Sequence, residues 1–177
     1  MLSPNVFDVE TFNKDPIIPY CCCLNLYNKN YVFYGLNCLV LLLDKIFNSC
    51  YNNTIIYAHN LTFDGGLLIN QLPENIEISL NHTSIYRCNI YSLGLVKHNK
   101  LIVFRCSAKI LPIKLSEIAK ILDIPDKLFI DHNSINIHNY LDVNIKSSVI
   151  SYCVRDVMIT QKFLIHINIC LKYELHD

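Results

Sequence analysis

The stretch that most constrains how this chain folds runs from Thr54 to Asn70, TIIYAHNLTFDGGLLIN. Its first half, Ile55, Ile56 and Tyr57 followed by Ala58, is β-branched and aromatic, as suits a strand buried on both faces. From Thr62 onward, Phe63, Leu67 and Leu68 fall at helical spacing, with Asn60 or Thr62 available as N-cap. A strand therefore hands over to a helix within a few residues. At that junction stand Asn60 and Asp64, two polar residues that an apolar core would not select. A carboxylate just inside a helix N-terminus has an ordinary explanation, because it complements the helix dipole.

The flanking residues extend the pattern. Asn5 to Thr11 reads as a strand with Phe7 and Val9 on one face and Val6, Asp8 and Glu10 on the other, so two carboxylates leave the same face. Ile17 to Tyr27 and Tyr31 to Tyr34 read as a hairpin joined at Asn28, Lys29 and Asn30. Leu39, Leu42, Leu43, Ile46 and Phe47 form the apolar stripe of a helix ending near Asn48, which makes the order β-β-β-α-β-α through Asn70. Beyond it, Ile76 to His82, Ile85 to Leu95 and Leu101 to Cys106 are strand candidates, and Leu115 to Leu122 is a short helix. Asp123 to Leu141 is irregular and polar. From about Val143 to Tyr173, the residues Val149, Ile150, Cys153, Val157, Phe163, Leu164, Ile167 and Leu171 predict one long or once-broken helix, on which Tyr152 and Asp156 share a face.

Composition narrows the class. A chain of 177 residues with 52% hydrophobic and 17% charged residues reads as one globular domain over 1–177, able to bury a core without staples. Its formal charge of zero argues against a domain that grips duplex nucleic acid alone, so any DNA contact should be short or shared with another domain. Nine cysteines without CxxC or Cys/His spacing indicate neither a zinc site nor a full disulfide set, and their odd number favours reduced thiols inside a cell. No apolar run is long enough to span a membrane, and MLSPNVFDVE has the features of no cleaved leader. The bias toward Ile, Asn, Tyr and Lys, with no Trp, suggests an AT-rich genome such as that of an organelle or an extrachromosomal element.

Four acids stand out: Asp8 and Glu10 from a strand, Asp64 from a helix start and Asp156 from the last helix. Each lies among apolar residues, where an unpaired charge costs on the order of several kcal/mol. Arg155 is the one basic residue immediately beside any of them in sequence, so cations from solution are the natural partners. Carboxylates converging within about 4 Å repel by about 4 kcal/mol per pair at an effective dielectric near 20, and a divalent metal removes that penalty. All-oxygen ligation selects Mg²⁺ or Mn²⁺ over zinc, and two such ions about 3.5 to 4 Å apart suit in-line phosphoryl transfer.

FDVET at Phe7 to Thr11, YAHNLTFDG at Tyr57 to Gly65 and YCVRD at Tyr152 to Asp156 resemble, in order, the three exonuclease motifs of family B DNA polymerases. The middle block is most similar to the protein-primed branch, found on phages and on linear plasmids of mitochondria. The resemblance implies a ribonuclease H-like α/β fold with a mixed sheet flanked by helices, and 3′→5′ proofreading of single-stranded DNA ends with two Mg²⁺ or Mn²⁺ ions. It implies Asp8, Glu10, Asp64 and Asp156 as metal ligands and Tyr152 as the group that orients the attacking water. Thr11 and Asn60 would hydrogen-bond the last nucleotides, and Phe63 would lie against a frayed terminal base. CSAKILP at Cys106 to Pro112 resembles the family's Ser/Thr-Leu motif with Ala108 in place of leucine, which implies Ser107 as a DNA ligand. Lys127, followed by Ile130, resembles the family's lysine motif, whose ammonium holds the scissile phosphate; His132 stands where an alanine or aromatic is expected.

A family polymerase continues for several hundred residues past its third exonuclease motif, so polymerisation is expected from a missing domain or a separate chain, which would also meet any terminal protein. Mitochondrial or other intracellular residence is the matching expectation, with no membrane partner. Two other readings stand beside it: an inactive relic or interaction module of the same fold, motivated by Ala108 and His132, and a free-standing exonuclease acting on RNA.

Overall fold

The structure, a computed structural model, describes residues 3–12 and 16–174, with residues 169–174 given by their backbone alone. Its elements in chain order are β1 (Asn5–Phe12), β2 (Ile18–Leu26), β3 (Lys29–Tyr34), α1 (Cys38–Ser49), β4 (Thr54–Ala58), α2 (Leu61–Asn70), β5 (Glu77–Tyr86), β6 (Asn89–Lys97), β7 (Lys100–Cys106), α3 (Leu115–Ile121) and α4 (Val143–Glu174). The strands form one mixed sheet in the order β3-β2-β1-β4-β7-β6-β5. At its centre β4 runs parallel to both β1 and β7, while the β2–β3 and β5–β6 hairpins add antiparallel wings.

Period-two alternation in β1 assigns its faces. Phe7 and Val9 join the core under α1 and α2, whereas Val6 and Phe12 join the core under α3 and α4. Asp8 and Glu10, in phase with Val6, therefore leave the sheet on the side of the last helix. On α1 the residues Leu39, Leu42, Leu43 and Ile46 are fully buried, each worth about 1.5–3 kcal/mol of apolar burial. On α4, Val149, Cys153, Val157, Ile159, Phe163 and Leu164 are buried along one continuous helix, and Ile150 and Ile167 pack at its margin. The side chain of Leu171 lies outside the described residues. Cys21, Cys22 and Cys23 alternate between the two cores at 0% exposure, and no disulfide occurs among the described residues. No helix among them is long and apolar enough to cross a membrane.

Three details depart from the sequence reading. The first hairpin turns at Tyr27–Asn28, with φ of 51° and 66°, rather than across Asn28 to Asn30. The second turns at Arg87–Cys88, with φ of 47° and 60°, inside what the sequence presents as one strand from Ile85 to Leu95. Both are two-residue turns with positive φ at both positions, a conformation usually announced by Asn-Gly or Asp-Gly. With four glycines in the chain, neither turn has one: Asn28 is a residue that tolerates positive φ, but Tyr27, Arg87 and Cys88 carry no turn signature. Third, Asn60 occupies the N-cap of α2 but its side chain makes no capping bond. Its carbonyl accepts from Phe63 N and Asp64 N, and Thr62 lies inside the helix with Oγ1 accepting from Ile90 N at 3.1 Å.

The wing hairpin is irregular at two places. Between the pairs Ser79–Gly94 and Ser84–Ser92, β5 loops outward; Thr83 Oγ1 there accepts from Gly94 N at 3.0 Å and donates to Ser79 O at 2.8 Å. A Cβ on Gly94 would stand 2.6 Å from His82 Cβ and 3.2 Å from Ser79 Cβ. We expect Gly94→Ala to cost about 1–3 kcal/mol and to lower the melting temperature by several degrees, measured by circular dichroism. Gly66→Ala, on a helix with nothing within 4 Å of the added methyl, is expected to raise it slightly, by up to about 1 kcal/mol of helix propensity.

Candidate active site

The C-terminal ends of the parallel strands β1, β4 and β7 open on one edge of the sheet, where ligand sites of open α/β sheets usually form. Beyond the last β1–β4 pair, Val6–Tyr57, β1 continues past its neighbour and carries Asp8 and Glu10 into the gap. The strand-to-helix junction places Asp64 in the first turn of α2, and α4 crosses β1 and β2 with Tyr152, Cys153 and Asp156 turned inward. Together they line a cleft of about 650 Å³, in which Asp8, Glu10, Asp64, Asp156, Tyr152, Asn60, Phe63 and Lys127 all take part.

Glu10, Asp64 and Asp156 are 7%, 3% and 3% exposed. Such burial disfavours the charged form, and the acids add to it by repelling one another. Burial, then the Asp8 charge, pushes the Glu10 carboxyl far above its ordinary value, so Glu10 keeps its proton and shares it with Asp8. Asp8 is raised by burial and by Asp156, and Asp64 by burial and by Asp8, against hydrogen bonds it accepts from the backbone at Val9 and at itself. Asp156 is raised by burial in spite of Lys127, whose Nζ lies 2.6 Å from Oδ2. The other oxygen, Oδ1, is buried without a partner.

The cations near the acids are not the one that adjacency in sequence suggests. Arg155 turns away and donates to the Asp126 carbonyl at 3.3 Å. Lys127 and His132 instead arrive from the irregular segment between α3 and α4. Burial weakens the Lys127 charge, but bonds to Asp156 and Tyr152 outweigh it and raise its pKa overall; its Nζ also stands 4.8 Å from the centre of the Tyr152 ring. His132 Nδ1 is 3.7 Å from Glu10 Oε2, and the ring meets Tyr152 edge-on at 5.1 Å. Burial and then Lys127 lower its pKa, so the imidazole is neutral at pH 7. Burial raises the Tyr152 phenol, which stays protonated.

Two residues drawn from the motifs stand elsewhere. Thr11 is 6% exposed and does not line the cleft. Ser107 is fully buried beneath it and bonds His59, Oγ to Nδ1 at 3.1 Å. The His59 Nε2 atom lies 2.9 Å from the Ile113 carbonyl, which can only accept, so Nε2 carries the proton and Nδ1 accepts from the serine. Burial keeps His59 neutral. His59 itself lines the cleft, and its sequence neighbourhood YAHN gave no separate signal for it. Phe63, on the rim, is 38% exposed.

The residues present fit a divalent cation. Of the lysines that line the cleft, Lys127 alone pairs with one of the four carboxylates, and a buried carboxylate oxygen is left orphaned, so the acids lack positive charge that an ion would supply. Asp8 and Glu10 each offer an oxygen within 4.8 Å of the other's and of Cys153 Sγ, while the thiol also approaches Asp8 Oδ2 at 3.5 Å.

No protein-family model and no curated protein matches the chain. Among solved structures it is similar to phi29 DNA polymerase. The complex with single-stranded DNA matches with a TM-score of 0.72 and 19% identity over 91% of this chain and 30% of that one. The ternary complex with primer-template DNA and incoming nucleotides matches at 0.72 and 20% identity over 93% and 30%, and the post-translocation binary complex at 0.70 and 19% over 91% and 30%. The chain thus spans about 30% of the length of the polymerases it matches. What they share is the fold, a mixed α/β arrangement of ribonuclease H-like type, which is the fold that the three motifs lead one to expect.

The raised carboxylates set the sign of the pH response without metal. Below about pH 4 folded and unfolded chains are both protonated at these positions; above it the unfolded chain releases protons that the folded one holds, so stability falls as pH rises toward neutrality. In chelator, the melting temperature is expected to be several degrees lower at pH 8 than at pH 5.5, and Mn²⁺ or Mg²⁺ to restore it at pH 8 more than at pH 5.5. Glu10→Gln, which retains a donor toward Asp8, is expected to melt within a few degrees of the parent in chelator and to lose most of the metal-dependent gain.

Proposed function

We propose that this chain is the 3′→5′ exonuclease module of a protein-primed family B DNA polymerase, hydrolysing nucleotides from the 3′ ends of single-stranded DNA. The observation that carries this reading is the convergence of Asp8, Glu10, Asp64 and Asp156 on one cleft, with Asp156 Oδ1 buried and unpartnered. The fold shared with phi29 polymerase, whose structures include complexes with single-stranded and primer-template DNA, supports DNA as the substrate. Polymerisation and any contact with a terminal protein are assigned to a polymerase domain outside these residues.

The four carboxylates would hold two Mg²⁺ or Mn²⁺ ions, which when bound supply an activated water and stabilise the departing oxygen. Tyr152, held as a phenol beside Asp156, has a hydroxyl to orient that water. Lys127 carries a firm positive charge at the cleft wall; its ammonium faces the phosphate being cleaved and offsets the charge that develops there. Asn60, whose amide is not used in capping, is free to hydrogen-bond the terminal nucleotide, and the half-exposed Phe63 ring offers a face to its base. Ser107 acts through His59, which it fixes in one tautomer on the cleft wall. Thr11, which the motif resemblance makes a DNA ligand, is buried on the strand behind the cleft.

A second reading, a module that binds DNA without cutting it, draws on the Lys127–Asp156 ion pair, which occupies one of the four acids. The two separate on 5′-labelled single-stranded DNA with Mg²⁺ or Mn²⁺. Stepwise shortening from the 3′ end is expected, faster than on RNA of the same sequence, and reduced at least about a hundredfold by Asp8→Ala and by a similar order in Lys127→Ala. Binding with no shortening in either metal would favour the second reading.

A further inference from the structure

We propose that Tyr91, with Lys109 beside it, forms a stacking platform for a nucleobase of the strand upstream of the scissile bond, and that Tyr86 with Arg87 continues this track along the β5–β6 hairpin. The inference rests on the reading of the cleft as a site for single-stranded DNA, and extends it to a surface outside the catalytic residues.

Its starting point is a break in register. Between the pairs Ser84–Ser92 and Ile85–Ile90, β6 carries one residue more than β5, and that residue is Tyr91. A bulge of this kind leaves one residue unpaired and re-aims its side chain, often next to a functional site. The neighbours hold the strand in place on either side of it: Ile90 is buried against α2, with its amide bonded to Thr62, and Leu93 is fully buried. Tyr91 alone is turned outward, at 39% exposure.

What it meets there is a cation that belongs to the cleft. Lys109 lines the cleft and stands with Nζ 5.0 Å from the centre of the Tyr91 ring and 3.3 Å from Asn89 Oδ1. Asn89 in turn donates to the Arg87 carbonyl at 3.0 Å, and Arg87 lies 5.2 Å from the ring of Tyr86, which is 58% exposed. Two partly exposed aromatic rings, each with a cation over one face and the other left for a base, thus follow one another along one hairpin from the cleft. This alternation fits a single strand, whose bases stack on π-faces while its phosphates meet the cations, and does so without sequence preference. A duplex does not fit, because its bases are already stacked. Since the chain as a whole is neutral, a local track of this kind supplies grip that net charge does not.

The test uses the full chain with Asp8→Asn to block hydrolysis, and fluorescence anisotropy with thymidylate oligomers of two nucleotides and of about twelve. The parent is expected to bind the longer oligomer more tightly. Tyr91→Ala should reduce that gain about tenfold, Tyr91→Phe should preserve it, and Lys109→Ala should lower the salt dependence of binding. A 2-aminopurine walked along the strand should be quenched at one position by the parent and by Tyr91→Phe but not by Tyr91→Ala, a signature that altered folding would not mimic. Circular dichroism of each variant verifies the fold. Equal long-to-short ratios in parent and Tyr91→Ala, with unchanged quenching, would overturn the platform while leaving the cleft reading intact. Failure of the parent to bind either oligomer would overturn both.

Discussion

Everything in this fold is arranged around a cost. Four carboxylates are brought together where water is scarce, each pair repelling by about 4 kcal/mol if charged at about 4 Å and an effective dielectric near 20. The chain meets that cost by leaving protons in place: Glu10 and Asp8 share one, and Asp64 and Asp156 are both pushed toward the neutral form. One lysine covers half of one carboxylate. An apolar protein interior would not tolerate this arrangement for the sake of stability, so its presence on the open edge of a well-packed sheet is the strongest physical argument for a cation-dependent function.

The packing explains how the cost is borne. Fully buried leucines and isoleucine on α1 and the alternating cysteines of β2 build two cores that meet across β1. Those cores fix the strand whose outer half carries Asp8 and Glu10, so the acids cannot swing apart to relieve their repulsion. The site is preorganised by rigid elements on three sides. On the fourth, the irregular segment from Asp123 to Leu141 delivers Lys127 and His132.

That division also marks what the sequence discloses. Asp8 and Glu10 are legible because a strand has period two, Tyr152 and Asp156 because a helix repeats every 3.6 residues, and Asp64 because a strand gives way to a helix just before it. Their common cleft follows from the order of elements. Lys127 beside Asp156 is not legible from adjacency, since the segment that carries it has no period; proximity along the chain pointed to Arg155, which bonds elsewhere. What Ser107 bonds is not legible either: its hydroxyl lies buried against His59, a partner that no period or motif spacing announces. The hairpin turns escape because Tyr27–Asn28 and Arg87–Cys88 adopt positive φ without the glycine that normally signals it.

The placement of α4 has a consequence for how the molecule matures. Cys153 meets Asp8 across 145 positions of sequence, and the core beneath α3 and α4 stays open to solvent until the last helix lies down on β1 and β2. Contacts this distant form late and slowly, because the intervening loop must first be closed. Asp8, Glu10 and Asp64 all precede α4 in the chain, and Asp156 joins them only through that helix. Without α4 on the sheet the cleft lacks Tyr152 and Asp156, so closing the second core and completing the cleft are one packing event.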